Sequence, residues 1–370
     1  MKFKVGKENF LVYLFFFLIS FLKGLGLNAN NNIYIALYIS LLLFATSKFI
    51  RTKISRKEIL ILLAFISVGI IDLLLGGETT VLFTAIALIF MKKVNLRKVI
   101  LAMFYGRTLG LMLMICLPLL GIIENNVFHF YRNGEFIDRF ALGYRHPNLL
   151  QSTFSLCSIM FLYLYYNKTN IIPLMIIEFI NIVLYRITYS RTGFIILSIV
   201  ILIFYFVNKN EKIKKILLNN LNVIFVVICL IPICSGILYG KVDLLTKIDQ
   251  IVTGRISYIS LLMNKYSMPL FKTRNYANIA FDNGIIDMIY NGGLVATIMF
   301  VTMQIKTNNY IKKYNLYKEG ILVFICLIFT LTESFYMSFN MNISLLFFSF
   351  AIYKNEKNNN IEKDVDRRKE

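Results

Sequence analysis

Tryptophan is absent from this 370-residue chain, histidine occurs twice, proline five times, and 20 acidic residues face 40 Lys and Arg. Two histidines and no His/Cys cluster leave a transition-metal site almost nothing to draw on, and no metal or other cofactor is expected. The five cysteines, Cys116, Cys157, Cys229, Cys234 and Cys326, are odd in number, scattered through apolar runs and without a Cys-x-x-Cys pair, so they read as small core hydrophobes. No small-residue cleavage site follows the first apolar run, Phe10 to Leu22, which therefore reads as an anchor rather than a removable signal peptide. A soluble domain is excluded by what remains: 58% hydrophobic residues, with 33 Phe and 22 Tyr, and a mean hydropathy of +0.67.

Nearly uncharged apolar runs recur along the chain, and about 20 such residues span the hydrocarbon core of a bilayer. Long continuous runs exclude a barrel, whose strands would alternate over short segments. The expectation is an all-α, polytopic membrane protein. Its spans fall near 10–27, 33–47, 59–75, 79–91, 99–123, 148–166, 171–188, 193–208, 219–239, 283–304, 319–334 and 339–353, about twelve helices in one transmembrane domain, residues 1–353. The connectors Lys48 to Lys57, Lys92 to Lys98, Lys209 to Lys215, Lys306 to Lys318 and the tail from Lys354 are rich in lysine, which places them in the cytoplasm. Both termini are then cytoplasmic, as an even helix count requires. The tail 354–370, with Asn358-Asn359-Asn360 and mixed charges, reads as disordered. Two longer segments, 124–147 and 240–282, face outward; in the second, Leu244, Leu245, Ile248, Ile251 and Val252 recur at helical spacing, which suggests a helix on the membrane surface.

The net charge of +20 invites a nucleic-acid reading, but its distribution argues for topology instead, and no nucleic-acid partner is expected. The cytoplasmic segments carry 22 Lys and 5 Arg, the rest of the chain 5 Lys and 8 Arg. Topology needs only positive charge inside and gives no reason for an outward arginine bias. A planar fork that grips phosphate oxygens in pairs does. The outward set is Arg132, Arg139, Arg145, Arg186, Arg191, Arg255 and Arg274. Arg107 lies inside the fifth span, where it either snorkels to the surface or pairs with an acid such as Glu178.

Four stretches could carry chemistry. Arg139 to Asn148 packs Arg139, Arg145, His146 and a Pro147-Asn148 turn between two apolar runs; the bland alternative is a connecting loop with Pro147 starting a helix. Ser190-Arg191-Thr192-Gly193 opens a span, and Ser190 or Thr192 could simply cap it. Gly254-Arg255 repeats the pattern, with a turn and a solvated charge as its alternative. Asp282-Asn283 precedes a span with Asn283, Asp287 and Asn291 at i, i+4 and i+8, which capping and interhelical bonding would also explain. Glu333 ends a later span within reach of the arginines.

In their order and placement these stretches resemble the Wzy-type polysaccharide polymerases and the related O-antigen ligases. The resemblance rests on Gly143 to Asn148, Ser190 to Gly193, Gly254-Arg255, and Asp282-Asn283 before Gly292-Gly293, and covers Arg139 to roughly Leu294. It implies a GT-C-like helical architecture and glycosyl transfer from undecaprenyl-pyrophosphate-linked oligosaccharide on the outer face of the cell membrane. The pathway's flippase and chain-length regulator would be partners. The ligases usually carry a histidine before the asparagine where this chain has Asp282, which favours polymerase over ligase. A sugar on a lipid pyrophosphate is already activated, so the protein needs chiefly to hold the pyrophosphate and stabilise its growing charge. Arg145, Arg191, Arg255 and Arg274 are the expected ligands, with Arg139, Asn148, Ser190 and Asn283 in supporting contacts. His146 and Asp282 are the candidates to take the acceptor's proton. A lipid-linked oligosaccharide flippase is the rival from another class, and should carry its polar residues near midplane on broken helices.

Overall fold

The computed structural model describes residues 7–27, 36, 40, 53–132, 135–166, 170–252, 254–272 and 282–353. All but residues 36 and 40 of the expected span at 33–47, the tail 354–370 and Arg274 lie outside the described residues. The chain forms two compact units, one of Met1–Leu41 with Asn95–Lys214, the other of Leu42–Val94 with Lys215–Glu370.

Among the described residues five helices are long and apolar enough to cross a membrane: Arg56–Gly76, Leu96–Leu119, Ile171–Thr188, Arg191–Lys209 and Leu221–Leu238. At 18 to 24 residues each rises about 27 to 36 Å, the thickness of a hydrocarbon core. Large apolar side chains such as Leu74, Phe179, Leu202 and Val223 stand exposed along them, as lipid-facing residues would. The protein is membrane-embedded and helical.

The other expected spans are shorter, less apolar or interrupted. Residues 79–91 form only the 11-residue helix Thr80–Phe90. Residues 283–304 are two helices, Gly284–Asn291 and Gly293–Lys313. The span at 319–334 ends as a helix at Thr330. After it, Asn342 Nδ2 donates to Tyr336 O at 2.9 Å and Ser344 Oγ to Asn342 Oδ1 at 2.5 Å. The first of these bonds offers the backbone an alternative to the helix ladder. The expected helix 339–353 is accordingly reduced to a 3₁₀ turn, Ile343–Phe347, and the short helix Phe348–Ile352. The chain is mostly helical, as expected, and within 124–147 strands β1 (Val127–Arg132) and β2 (Glu135–Phe140) pair antiparallel where a loop was expected.

In the first unit the helices Lys7–Gly24 and Leu96–Leu119 meet backbone to backbone at three glycines. A Cβ at Gly106 would sit 2.2 Å from Phe17 O, one at Gly110 2.6 Å from Phe21 O, and one at Gly24 2.6 Å from Arg107 O. Small residues four apart let backbones approach this closely, and dispersion then holds helices that gain no hydrophobic drive from lipid. Arg107 is 1% exposed and so does not snorkel. The Glu178 oxygens accept from Ser198 Oγ at 2.6 Å and Asn181 Nδ2 at 3.2 Å.

The second unit opens with a helical hairpin, Arg56–Gly76 and Thr80–Phe90, closed at one end by a capping box between Ser55 and Glu58. Buried Lys92 donates to the same Glu58 at 2.7 Å. At the tight crossing a Cβ on Gly69 would lie 2.6 Å from Leu82 N. Tyr353 Oη donates to Leu88 O at 3.0 Å and Thr84 Oγ1 to Met337 O at 2.7 Å, tying Tyr353 and the turn at Met337 to this hairpin.

Replacing Gly106 by valine should separate the first pair of helices and cost more than about 2 kcal/mol, as overpacking against backbone does. Thermal unfolding in detergent measures it, with Leu109→Ala, on an exposed position, as the tolerated control. An unchanged midpoint for Gly106→Val would show that the close packing contributes nothing.

Candidate functional site

Each unit carries its own polar cluster. In the first, the turn after β2 is built for one shape. Leu142 and Gly143 take φ of 43° and 79°, values that a glycine adopts without strain. Leu142 N–H donates to Asn125 Oδ1 at 3.1 Å, and Asn126 Nδ2 donates to Tyr144 O at 3.0 Å. Tyr144 is 1% exposed, its hydroxyl donates to Gly24 O, and burial pushes its phenol well above the ordinary value. With Tyr144 locked below, the next residue, Arg145, stands exposed.

His146 is the N-cap of helix Pro147–Leu164, and its Nδ1 accepts from Asn148 N–H at 3.2 Å. A neutral ring that accepts at Nδ1 carries its proton on Nε2. Arg139 joins this helix start to a second one. Its Nη2 donates to Asn148 Oδ1 at 2.6 Å, its Nε to Thr188 O at 2.7 Å, and its guanidinium lies 5.2 Å from the centre of the Phe130 ring.

Thr188 ends one helix, Tyr189 turns through φ 48°, and Ser190 begins helix Arg191–Lys209. Ser190 is buried and makes no side-chain cap bond, so the opening amides of that helix have no side-chain acceptor. Arg191 is exposed. The two helix starts touch, because a Cβ at Gly193 would lie 2.6 Å from Gln151 Cγ. Of the expected residues, the structure thus gathers Arg139, Arg145, His146, Asn148, Ser190 and Arg191 around two adjoining helix N-termini.

Beneath them runs a network absent from the sequence expectation. Gln151 Nε2 donates to Asn181 Oδ1 at 2.6 Å, and Asn181 Nδ2 lies 3.2 Å from both Glu178 Oε2 and Phe194 O and 3.1 Å from Ser198 Oγ. It fastens three helices together. The polar positions were visible in their apolar runs; which of them would meet was not.

In the second unit Asp249 Oδ1 accepts from Ile256 N–H at 2.7 Å and Ser257 N–H at 3.2 Å, capping helix Arg255–Lys265. Arg255, its first residue, donates through Nη1 to Thr332 O at 2.5 Å, and its Nε lies 3.6 Å from Asp282 Oδ2, an ion pair beyond hydrogen-bond length. Glu333 is electrostatically coupled to both. Asn283 does the work of a cap: its Oδ1 accepts from Ile285 and Ile286 N–H, and its Nδ2 donates to Leu331 O at 3.0 Å. Asn291 donates to Asp287 within one helix, at 2.7 Å.

The helix break at Gly292-Gly293 has a partner in the segment before it. Leu294 N–H donates to Pro269 O at 2.8 Å and Val295 N–H to Leu270 O at 3.2 Å. Gly293 sits at φ 75°, where a Cβ would strike Leu270 O at 2.5 Å. Two residues on, buried Lys272 pairs with Glu78 at 3.3 Å, and its N–H donates to Asp72 Oδ1 at 3.3 Å.

The chain matches no protein-family model, no curated protein and no solved structure.

Replacing Asn181 by alanine should leave Gln151 without its acceptor and lower stability by about 2 kcal/mol, since single interhelical bonds in membranes contribute about 0.6 kcal/mol on average and orphaned buried groups add to that. A melting temperature equal to wild type would mean the network is not structural.

Proposed function

We propose that the protein joins lipid-pyrophosphate-linked oligosaccharides into a polysaccharide on the outer face of the cell membrane, by glycosyl transfer. The observation that carries this reading is the pair of adjoining helix N-termini at Pro147 and Arg191, held by Arg139 and flanked by exposed Arg145 and Arg191. The Arg191 helix start carries no side-chain cap, and such a start attracts anions, while arginine forks bind phosphate oxygens two at a time. The full reading keeps about twelve spans in a GT-C-like bundle, with both termini cytoplasmic and segments 124–147 and 240–282 outside.

Chemically, the acceptor hydroxyl attacks the anomeric carbon, the bond from that carbon to the pyrophosphate oxygen breaks, and the leaving group departs with the electron pair. The Arg145 and Arg191 side chains, with the Thr192 and Gly193 amides that follow the bonded Arg191 N–H, neutralise the charge that develops there. With its Nδ1 engaged by Asn148, His146 serves better as an Nε2–H donor to that charge than as a base. The acceptor's proton leaves to a general base or to water, and Asp282 of the second unit, ion-paired to Arg255, is a separate candidate to test by substitution.

A ligase fits the same donor chemistry. Transport of the lipid-linked oligosaccharide is a second reading, favoured by the helix broken at Gly292-Gly293 with Asp72, Glu78 and Lys272 close to the segment that docks on it.

In cells relying on the variant alone, Arg145→Ala and Arg191→Lys should each reduce polymer about tenfold or more at normal protein level, because lysine cannot reproduce a two-point grip. Single lipid-linked repeat units should accumulate on the outer leaflet. Polymer of normal length and amount would remove both residues from the site, and repeat units held on the cytoplasmic leaflet would support transport instead.

A further inference from the structure

The strand pair beside the first cluster has two unlike faces. Residues directly opposite in an antiparallel pair share a face, so Phe128, Arg139, Phe130 and Ile137 lie on one side, and His129, Asp138, Tyr131 and Phe136 on the other. The first side is turned to the helix starts: Phe128 lies 5.4 Å from the His146 ring, and Arg139 reaches Thr188 and Asn148. The second side is open. Tyr131 is 67% and Phe136 78% exposed, with ring centres 5.1 Å apart. Next to them His129 Nδ1 and Asp138 Oδ1 pair at 2.7 Å, also well exposed.

These aromatics belong to no membrane span, so lipid tails along a helix do not account for them. Leaving such a side chain uncovered forgoes about 1.5 to 3 kcal/mol of burial. We infer that this open face is a saccharide platform, which seats sugars of the same lipid-linked substrate whose pyrophosphate the helix starts hold. The inference rests on the function proposed above. Two points favour a sugar as occupant. A sugar ring pairs an apolar C–H face, which suits the Tyr131 and Phe136 rings, with a rim of hydroxyls, which suits the Tyr131 hydroxyl, His129 and Asp138. Burying the same face in hydrocarbon would strand the His129–Asp138 pair away from water. Phe136 and Arg139 are three residues apart on one strand, about 10 Å, but on opposite faces of the pair, so sugars of the same substrate would reach the platform around the edge of the strand pair.

The absence of tryptophan makes a direct test available. Tyr131→Trp places a single indole on the platform of the full chain in nanodiscs. The probes are the repeat-unit oligosaccharide released by mild acid from the lipid fraction of cells lacking the protein, inorganic pyrophosphate, and brominated phospholipids as quenchers. The oligosaccharide should shift the indole emission saturably, and adding Phe136→Ala should weaken that binding about tenfold, the scale of one aromatic contact. Brominated lipids should leave the emission unchanged. Strong quenching by those lipids would place the pair in the bilayer and overturn the platform. No response to oligosaccharide, while pyrophosphate still raises the melting temperature in an Arg191-dependent manner, would overturn the platform and leave the proposed function standing. Failure of both responses would overturn both.

Discussion

Within hydrocarbon no water completes a hydrogen bond, so every backbone and side-chain polar group has to find its partner inside the protein. Much of this structure follows from that constraint. The opening amides exposed by the Gly292-Gly293 break are taken up by the Pro269 and Leu270 carbonyls, which makes an interrupted helix tolerable and fastens the preceding segment to it. Asn181 is acceptable in an apolar helix only because Gln151, Glu178, Ser198 and the Phe194 carbonyl surround it. Where polar groups are not needed, glycines at 24, 106 and 110 let backbone meet backbone.

The same economy shapes the first polar cluster. Arg139 is used as a brace, with its donors spent on Thr188 O and Asn148 Oδ1. That brace fixes three things at once: the strand pair, the His146 cap and the turn into Arg191. Arg145 and Arg191 are left exposed beside amides that no side chain caps. In the second cluster Arg255 Nη1 is bonded to Thr332 O and its charge is offset by Asp282 at 3.6 Å, and Asn283 is committed to two amides and a carbonyl. The first cluster is therefore the better prepared for an incoming anion.

Hydropathy made most of the helices legible, to the residue at Ile171–Thr188, because a long apolar run between lysine-rich connectors has few other solutions. The strand pair was passed over, although Asn133-Gly134 between Val127–Arg132 and Glu135–Phe140 is a strong hairpin signal. In so helical a chain that stretch reads as loop. The break at Gly292-Gly293 was visible as a motif but not as a break, since the run around it stays apolar and the kink depends on contact with residues 269–270. His146 stood out as a base because histidine is rare here; its Nδ1 is spent on a helix cap, a choice that only coordinates reveal. The capping alternative considered for Asn283 is what its geometry displays.

The central claim is that this chain forms a glycosidic bond at the expense of a lipid pyrophosphate. Purified full-length protein in nanodiscs, supplied only with undecaprenyl-pyrophosphate-linked repeat units, tests it most directly. The account predicts a ladder of oligomers, with one undecaprenyl pyrophosphate released per bond formed. Repeat units that remain single, or that cross the bilayer without being joined, would contradict it.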